Sequence, residues 1–323
     1  MLSEEGYRAL TAGAGIVRRA DRAVLTVRGP DRLTWLQGLV TNDVAGLPVN
    51  AICDAAYLTP QGRMITDMRV ANVEDRTLLD VPASLAASLQ TRLDALLFSE
   101  DAQISDSSRD VVIVDLHGPA TPGIARGLTM FRDDAFDVPG FSAFVQTEAV
   151  DAFVAELVRH GAVETTLETL DVLRVEAGRP AFLVDMDEHT IPLEAGLERR
   201  AISFTKGCYV GQEVIVRVTQ RGGGRVAKRL VGIALGTSQL PGAGDPIVVG
   251  AREVGRLTSV AWSPALSGVI ALGYVHRDFV EAGTLVAIRH GGEMLPATVS
   301  ALPFVSRSNS TFAGSVVARR DSL

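Results

Sequence analysis

Three consecutive glycines, Gly222-Gly223-Gly224, stand between Arg221 and Arg225, and the residue pattern differs on their two sides. They are not followed by a helical pattern and lack the Gly-Lys-Ser/Thr end of a phosphate loop, so they read as a linker between folding units. Downstream lie short β-branched runs punctuated by Gly and Pro, among them Leu230-Val231-Gly232-Ile233, Ile247-Val248-Val249, Val269-Ile270-Ala271 and Leu285-Val286-Ala287-Ile288. That pattern predicts a small all-β barrel or sandwich. Upstream, strand and helix patterns are mixed, and 323 residues exceed what one core usually organises, so two or three domains are expected.

Val24-Leu25-Thr26-Val27 reads as a strand, and Pro30 can open a helix reaching about Val40 with Trp35, Leu36 and Leu39 inward. Tyr57-Leu58-Thr59 and Met64 to Val70 read as two strands joined at Pro60-Gln61-Gly62. The alternation puts Ile65, Asp67 and Arg69 on one face and Met64, Thr66, Met68 and Val70 on the more apolar other. Leu85, Leu89, Leu93 and Leu96 recur at helical spacing over residues 83–99. A second unit begins with the strand Val111 to Leu116, which a helix is expected to follow. A strand at Phe141 to Val145 and helices over 149–160 and 166–177 complete it. These elements predict an α+β layer.

A net charge of −7 and a pI near 5.3 argue against a general nucleic-acid or anionic-membrane binder. Mean hydropathy is positive at +0.21, yet no uninterrupted apolar stretch approaches the ~18 residues of a membrane helix. Cys53 and Cys208 are too few for a disulfide framework, and the amino terminus lacks a basic region followed by an apolar core, so a cytoplasmic protein with reduced thiols is expected. The five histidines are scattered and neither cysteine has a Cys-x-x-Cys partner, so no metal site is predicted.

The densest chemistry is Lys206-Gly207-Cys208-Tyr209-Val210-Gly211-Gln212-Glu213. Of 31 basic residues only Lys206 and Lys228 are lysine, so a lysine here is notable. A compact ammonium can do what a planar guanidinium cannot. The other reading is a strand-leading loop whose glycines supply positive φ. Lys206 could lower the thiol pKa of Cys208 and make it reactive, or Cys208 could be a small buried apolar residue. Gln212 and Glu213 could contact a ligand or fix the loop. Arg217, Arg221, Arg225, Lys228 and Arg229 follow as a basic stretch.

The octet resembles the signature of YgfZ-type folate-binding proteins, relatives of the glycine-cleavage T-protein implicated in iron–sulfur cluster assembly or repair. Arg28 to Leu33, Leu36 to Val44 and Leu58 to Asp67 resemble the same family. Leu173-Arg174-Val175-Glu176-Ala177-Gly178 and Asp187 to Glu194 look more like the T-protein itself. The resemblance implies a folate-binding α+β region over 1–225, with subdomains near 1–110 and 111–225, packed as a ring with an antiparallel β-barrel over 226–323.

It further implies tetrahydrofolate as ligand. The two N–H donors of a pterin face suit a carboxylate, and Glu176 matches the T-protein's folate-contacting glutamate. Asp67 matches a hairpin acid that assists aminomethyl transfer, although Thr66 stands where the T-protein carries a second acid. Tyr209, Gln212, Glu213, Arg217 and Arg225 are expected around the folate, with cations on its glutamyl tail. Three functions stay open. The first is a tetrahydrofolate-binding protein that supports iron–sulfur client or assembly proteins through Cys208 and Lys206. The second is an aminomethyltransferase using Asp67 and Glu176, and the third a folate-independent scaffold.

Overall fold

A computed structural model describes residues 3–221 and 225–307. The glycine linker at 222–224 therefore lies outside the described residues. The first unit holds α1 (Glu4–Ala12), β1 (Gly15–Arg18), β2 (Arg22–Arg28), α2 (Arg32–Gln37), β3 (Ala51–Leu58), β4 (Met64–Asn72), β5 (Arg76–Pro82), α3 (Ala86–Asp94) and β6 (Gln103–Asp106). Then come β7 (Val111–His117), α4 (Thr121–Ile124), β8 (Phe131–Arg132), β9 (Gly140–Gln146), α5 (Val150–Arg159), β10 (Val163–Glu164), α6 (Leu167–Glu176) and α7 (Gln212–Val216). The last unit is all β: β11 (Lys228–Leu235), β12 (Pro246–Val249), β13 (Arg252–Ser263), β14 (Gly268–His276), β15 (Leu285–His290) and β16 (Glu293–Ser300).

The first sheet has the order β3-β4-β5-β2-β6 and the second β10-β1-β7-β9-β8, while the last six strands close into a barrel, β11-β14-β13-β12-β15-β16. The chain is thus α+β with a closed antiparallel carboxy-terminal barrel. One boundary differs from the sequence reading. Strand β1 pairs with β7 and β10, so Gly15–Arg18 belong to the second sheet, although the sequence reading drew them within the unit from 1 to 110. The helix expected after Pro30 is shorter, six residues, and the one expected after β7 is a single turn.

Local chemistry sets the ends of the elements. The Ser3 hydroxyl accepts from the Gly6 amide at 3.1 Å and caps α1, and Thr166 caps α6 through the Thr169 amide. The β3–β4 turn closes through Gly62 at φ 72°, a conformation that suits glycine. Helices α2 and α3 cover one face of the first sheet through Trp35, Leu36, Leu89 and Leu93. The other face meets the second sheet through Val24, Ala71, Leu78, Ile113 and Phe131. Helix α6 packs on the barrel through Val172 and Val175 against Leu230, Ile270 and Leu272. No helix among the described residues is long and apolar enough to cross a membrane.

The two sheets are also joined by buried charge. Arg69 on β4 donates to Asp80 at 2.5 Å, to Asp133 at 2.6 Å, to Ser142 at 2.7 Å and to Asp115 at 3.3 Å. Asp80 and Asp115 are fully buried, one in each sheet. Burial opposes ionisation of Asp115, but Arg69 and Arg19 outweigh it and hold its carboxyl well below the usual range. Removing Arg69 strands these carboxylates. Arg69→Met is expected to cost about 3–5 kcal/mol in chemical denaturation, the range for breaking a buried ion pair. A depressed folded-state pKa contributes stability that is complete above the unfolded pKa and is lost as pH falls through the folded one. The stability gap between the parent and Asp115→Asn should therefore stay constant from pH 8 to 5 and narrow only below about pH 4. A gap that already narrows at pH 6 would contradict this account.

Candidate active site

The charge network continues to Asp67. Arg22 on β2 donates to Asp80 at 2.5 Å and, from another nitrogen, to Asp67 Oδ1 at 3.1 Å. Asp67 Oδ2 accepts no hydrogen bond from the described residues. The strand alternation read from sequence is observed: Met64, Thr66 and Met68 are buried, while Asp67 is partly open. It faces a narrow cavity of about 90 Å³ lined also by Arg22, Phe136, Arg174, Arg179 and Arg200.

This space is a neck. Through Arg22, Phe136 and Arg174 it adjoins a chamber of about 680 Å³. The walls of that chamber are apolar at Leu170, Val172, Phe182 and Val260, with acids at Asp21, Glu168 and Asp171, so all three units contribute to it. Through Arg69, Arg179 and Arg200 the neck adjoins a second mouth of about 320 Å³ that holds Cys53, Asp54 and Asp134. Burial, reinforced by Asp54, pushes the Cys53 thiol up to about 12, so it is protonated at neutral pH. Arg174 fixes the chamber to the barrel, donating to Asp171 and Asp185 at 2.6 Å and to Ser259 at 2.7 Å.

Lys206 has a different setting. Its ammonium donates to the carbonyls of Gln37, Val40 and Asn42 at 2.6, 2.7 and 2.8 Å and lies 5.3 Å from the centre of the Tyr209 ring. Burial lowers its pKa to about 8, with Asp43 opposing. Three donors on one atom meet three carbonyls at the end of α2, which a planar guanidinium could not match. The lysine is thus explained by loop architecture. The octet's Gly211, at φ 83°, lies so close to the Thr59 carbonyl that a Cβ there would sit 2.6 Å from it, and Gly62 abuts Val214 in the same way. Cys208 is exposed and lines none of these spaces. Tyr209 is buried and, with Gln212 and the exposed Phe204, borders a separate hollow of about 320 Å³.

Glu176 is fully buried, and its carboxylate is occupied within the protein. Tyr7 donates to both oxygens at 2.8 and 2.9 Å, Ser263 donates at 2.5 Å, and Arg307 pairs with it. It lines neither neck nor chamber, contrary to the expectation that it offers a carboxylate to a ligand. Of the expected tail cations, Arg217, Arg225 and Glu213 beside them are exposed, and Arg229 is paired with Glu198. The Arg221 side chain lies outside the described residues. Lys228 alone of that group lines a large cleft, about 810 Å³, which meets the chamber at Leu183 and Val184 and also holds Arg63, His189, Arg256 and His276.

Sequence reading missed Arg22, Arg69, Asp80, Asp115, Arg174, Arg179 and Arg200. A signal was present, for Asp80 and Asp115 are lone charges inside apolar strands, and a buried charge needs a partner. Nothing local names that partner, because the pairs join residues 11 to 96 positions apart.

Two domain families match the chain: the GCVT N-terminal domain over residues 2–155 and the glycine cleavage T-protein C-terminal barrel domain over 228–306. An aminomethyltransferase of Streptomyces avermitilis is 28% identical over 93% of this chain and 89% of its own. A putative chloroplastic transferase of Arabidopsis thaliana is 26% identical over 97% of this chain and 76% of its own. The crystal structure of glycine cleavage system aminomethyltransferase T from Bartonella henselae superposes with a TM-score of 0.83 at 21% identity, covering 94% of this chain and 89% of that one. The two domains in their order, the full-length relatives and the shared fold together place this chain in the glycine-cleavage T-protein superfamily.

Proposed function

We propose that the chain binds a reduced folate in the 680 Å³ chamber and transfers a one-carbon unit at Asp67. The observation that carries this reading is the position of Asp67: a carboxylate at a neck, one oxygen held by Arg22 and the other free. The chamber fits the ligand physically. Leu170, Val172, Phe136, Phe182 and Val260 provide apolar surface for flat rings, and the volume falls in the range of ~300–1,000 Å³ usual for small-molecule sites. Tetrahydrofolate, when bound, supplies the nucleophilic nitrogen that accepts the one-carbon unit. Asp67 would orient that nitrogen or exchange a proton with it through Oδ2, while Arg22 holds the other carboxylate oxygen and directs the side chain into the neck. The glutamyl tail would cross Leu183 and Val184 toward Lys228 and Arg63 in the adjoining cleft.

A second reading, support of iron–sulfur enzymes, is favoured by one observation: Cys208 is exposed on a loop whose neighbour Phe204 is also exposed. Under that reading the thiol acts on a partner's surface and the folate channel serves regulation.

Calorimetric titration with tetrahydrofolate tests the first reading, and a complete absence of binding at millimolar ligand would remove it. Asp67→Asn is expected to bind folate within a few-fold of the parent. The same variant should slow transfer of the one-carbon unit to tetrahydrofolate by about 10²–10⁴, the usual contribution of a general acid–base group. Cys208→Ala should leave that transfer unchanged and depress only iron–sulfur enzyme activities in cells. Loss of transfer in Cys208→Ala would reverse the assignment. Lys206→Arg is expected to destabilise the protein by about 1–3 kcal/mol, the cost of leaving buried carbonyls unpaired, without altering folate affinity in the surviving folded protein.

A further inference from the structure

The mouth at the far end of the neck is built from charge. Four arginines and three aspartates line it: Arg69, Arg132, Arg179 and Arg200 with Asp54, Asp133 and Asp134. The aspartates are all taken. Asp133 accepts from Arg69 at 2.6 Å, Asp134 from Arg132 at 2.8 Å and Asp54 from Arg179 at 2.7 Å. Arg200 is left over. Among the described residues its guanidinium makes no ion pair and no hydrogen bond, although its own carbonyl is fixed by the Asn42 amide at 3.0 Å.

Arg179 beside it is held rigidly, donating also to the Ala135 carbonyl at 3.0 Å and lying over the Phe136 ring. Burial and the neighbouring Arg179 both act against the charge on Arg200, lowering its pKa to about 10, and Asp54, Asp67 and Asp133 only partly compensate. The side chain still carries its proton at neutral pH. A cation that is desolvated, crowded by a second cation and without a direct ion pair is relieved by an anion. Both arginines line the neck as well as the mouth, so an anion bound there would sit next to the space Asp67 faces.

We propose that this mouth admits the second reactant, and that the reactant is a small molecule whose carboxylate or phosphate is received by Arg200 beside Arg179. The proposal rests on the folate reading of the chamber for calling this molecule a reactant, while the anion site itself stands on the arginines alone. A volume of about 320 Å³ is at the small end for ligand sites, which suits a compact ligand. A neutral reactant would leave Arg200 without a direct ion-pair partner.

The test is calorimetry and thermal denaturation of the full chain, free and with tetrahydrofolate present, using acetate, glycine and inorganic phosphate as separate probes. At least one probe is expected to bind with a Kd in the millimolar range or tighter. Arg200→Gln should weaken it tenfold or more, Arg200→Lys should restore part of it, and the exposed Arg217→Gln should change it less than twofold. Preference for acetate and glycine would identify a carboxylate, and preference for phosphate a phosphoryl ligand. No binding of any probe at 50 mM in the parent, or equal binding in parent and Arg200→Gln, would overturn the proposal. Tetrahydrofolate affinity should be the same in parent and Arg200→Gln. If tetrahydrofolate itself fails to bind while a probe binds through Arg200, the folate reading falls and the anion site stands.

Discussion

The arrangement of this molecule depends on the guanidinium of Arg69. A single planar group, almost wholly buried, touches carboxylates or hydroxyls on β5, β7, β9 and the loop before β9. Asp80 and Asp115 are both fully buried and need partners there, and Arg19, Arg22 and Arg69 supply them between them. Networks of this kind are a poor route to stability by themselves, since apolar residues of similar volume often do as well. What they do supply is direction. The run Asp115–Arg69–Asp80–Arg22–Asp67 is a continuous chain of charge contacts leading from the seam between the sheets to the neck. Asp67 is therefore oriented by the same contacts that dock one sheet on the other.

The octet illustrates a second kind of constraint. Its lysine closes the carboxy-terminal end of α2 by meeting three carbonyls, which also places positive charge where the helix dipole is negative. Its second glycine lets the backbone lie against the β3–β4 turn, and Gly62 of that turn reciprocates toward α7. A stretch dense in functional groups is here dense for geometric reasons: it joins α2, the hairpin carrying Asp67 and α7. Cys208 is exposed and takes no part in these contacts.

The sequence made the periodic elements legible. The strands at Val24, Met64, Val111 and Phe141 and the helices over 149–160 and 166–177 follow their apolar spacing closely, because packing on one face imposes it. The twelve-residue β13 escaped because Arg252, Glu253, Gly255 and Arg256 blur its alternation, and a barrel strand tolerates them on its outer face. The pairing of β1 with β7 was invisible since no local pattern specifies a partner about a hundred residues away. Asp67 could be singled out from its resemblance and its strand face. Glu176 carried an equally good resemblance, yet its neighbours Tyr7, Ser263 and Arg307 come from three distant segments, and only the fold reveals that they occupy it. Lys206 stands out in the sequence as a lysine among arginines, and the groups its ammonium meets are carbonyls within the protein, which no local pattern reveals.

The two ends of the neck differ in character, and that difference constrains any chemistry carried out between them. One side is a chamber with apolar walls and acids at Asp21, Glu168 and Asp171, the other a smaller mouth dominated by arginines. The neck itself, at about 90 Å³, is several times smaller than either. A large flat ligand seated in the chamber cannot exchange places with a molecule from the far side, so two reactants would approach from opposite ends and meet at Asp67. Such a layout keeps each ligand in a space matched to its own polarity, apolar surface for rings and cations for an anionic group. At the junction of the two, Arg22, anchored on buried Asp80, holds Asp67 by one oxygen.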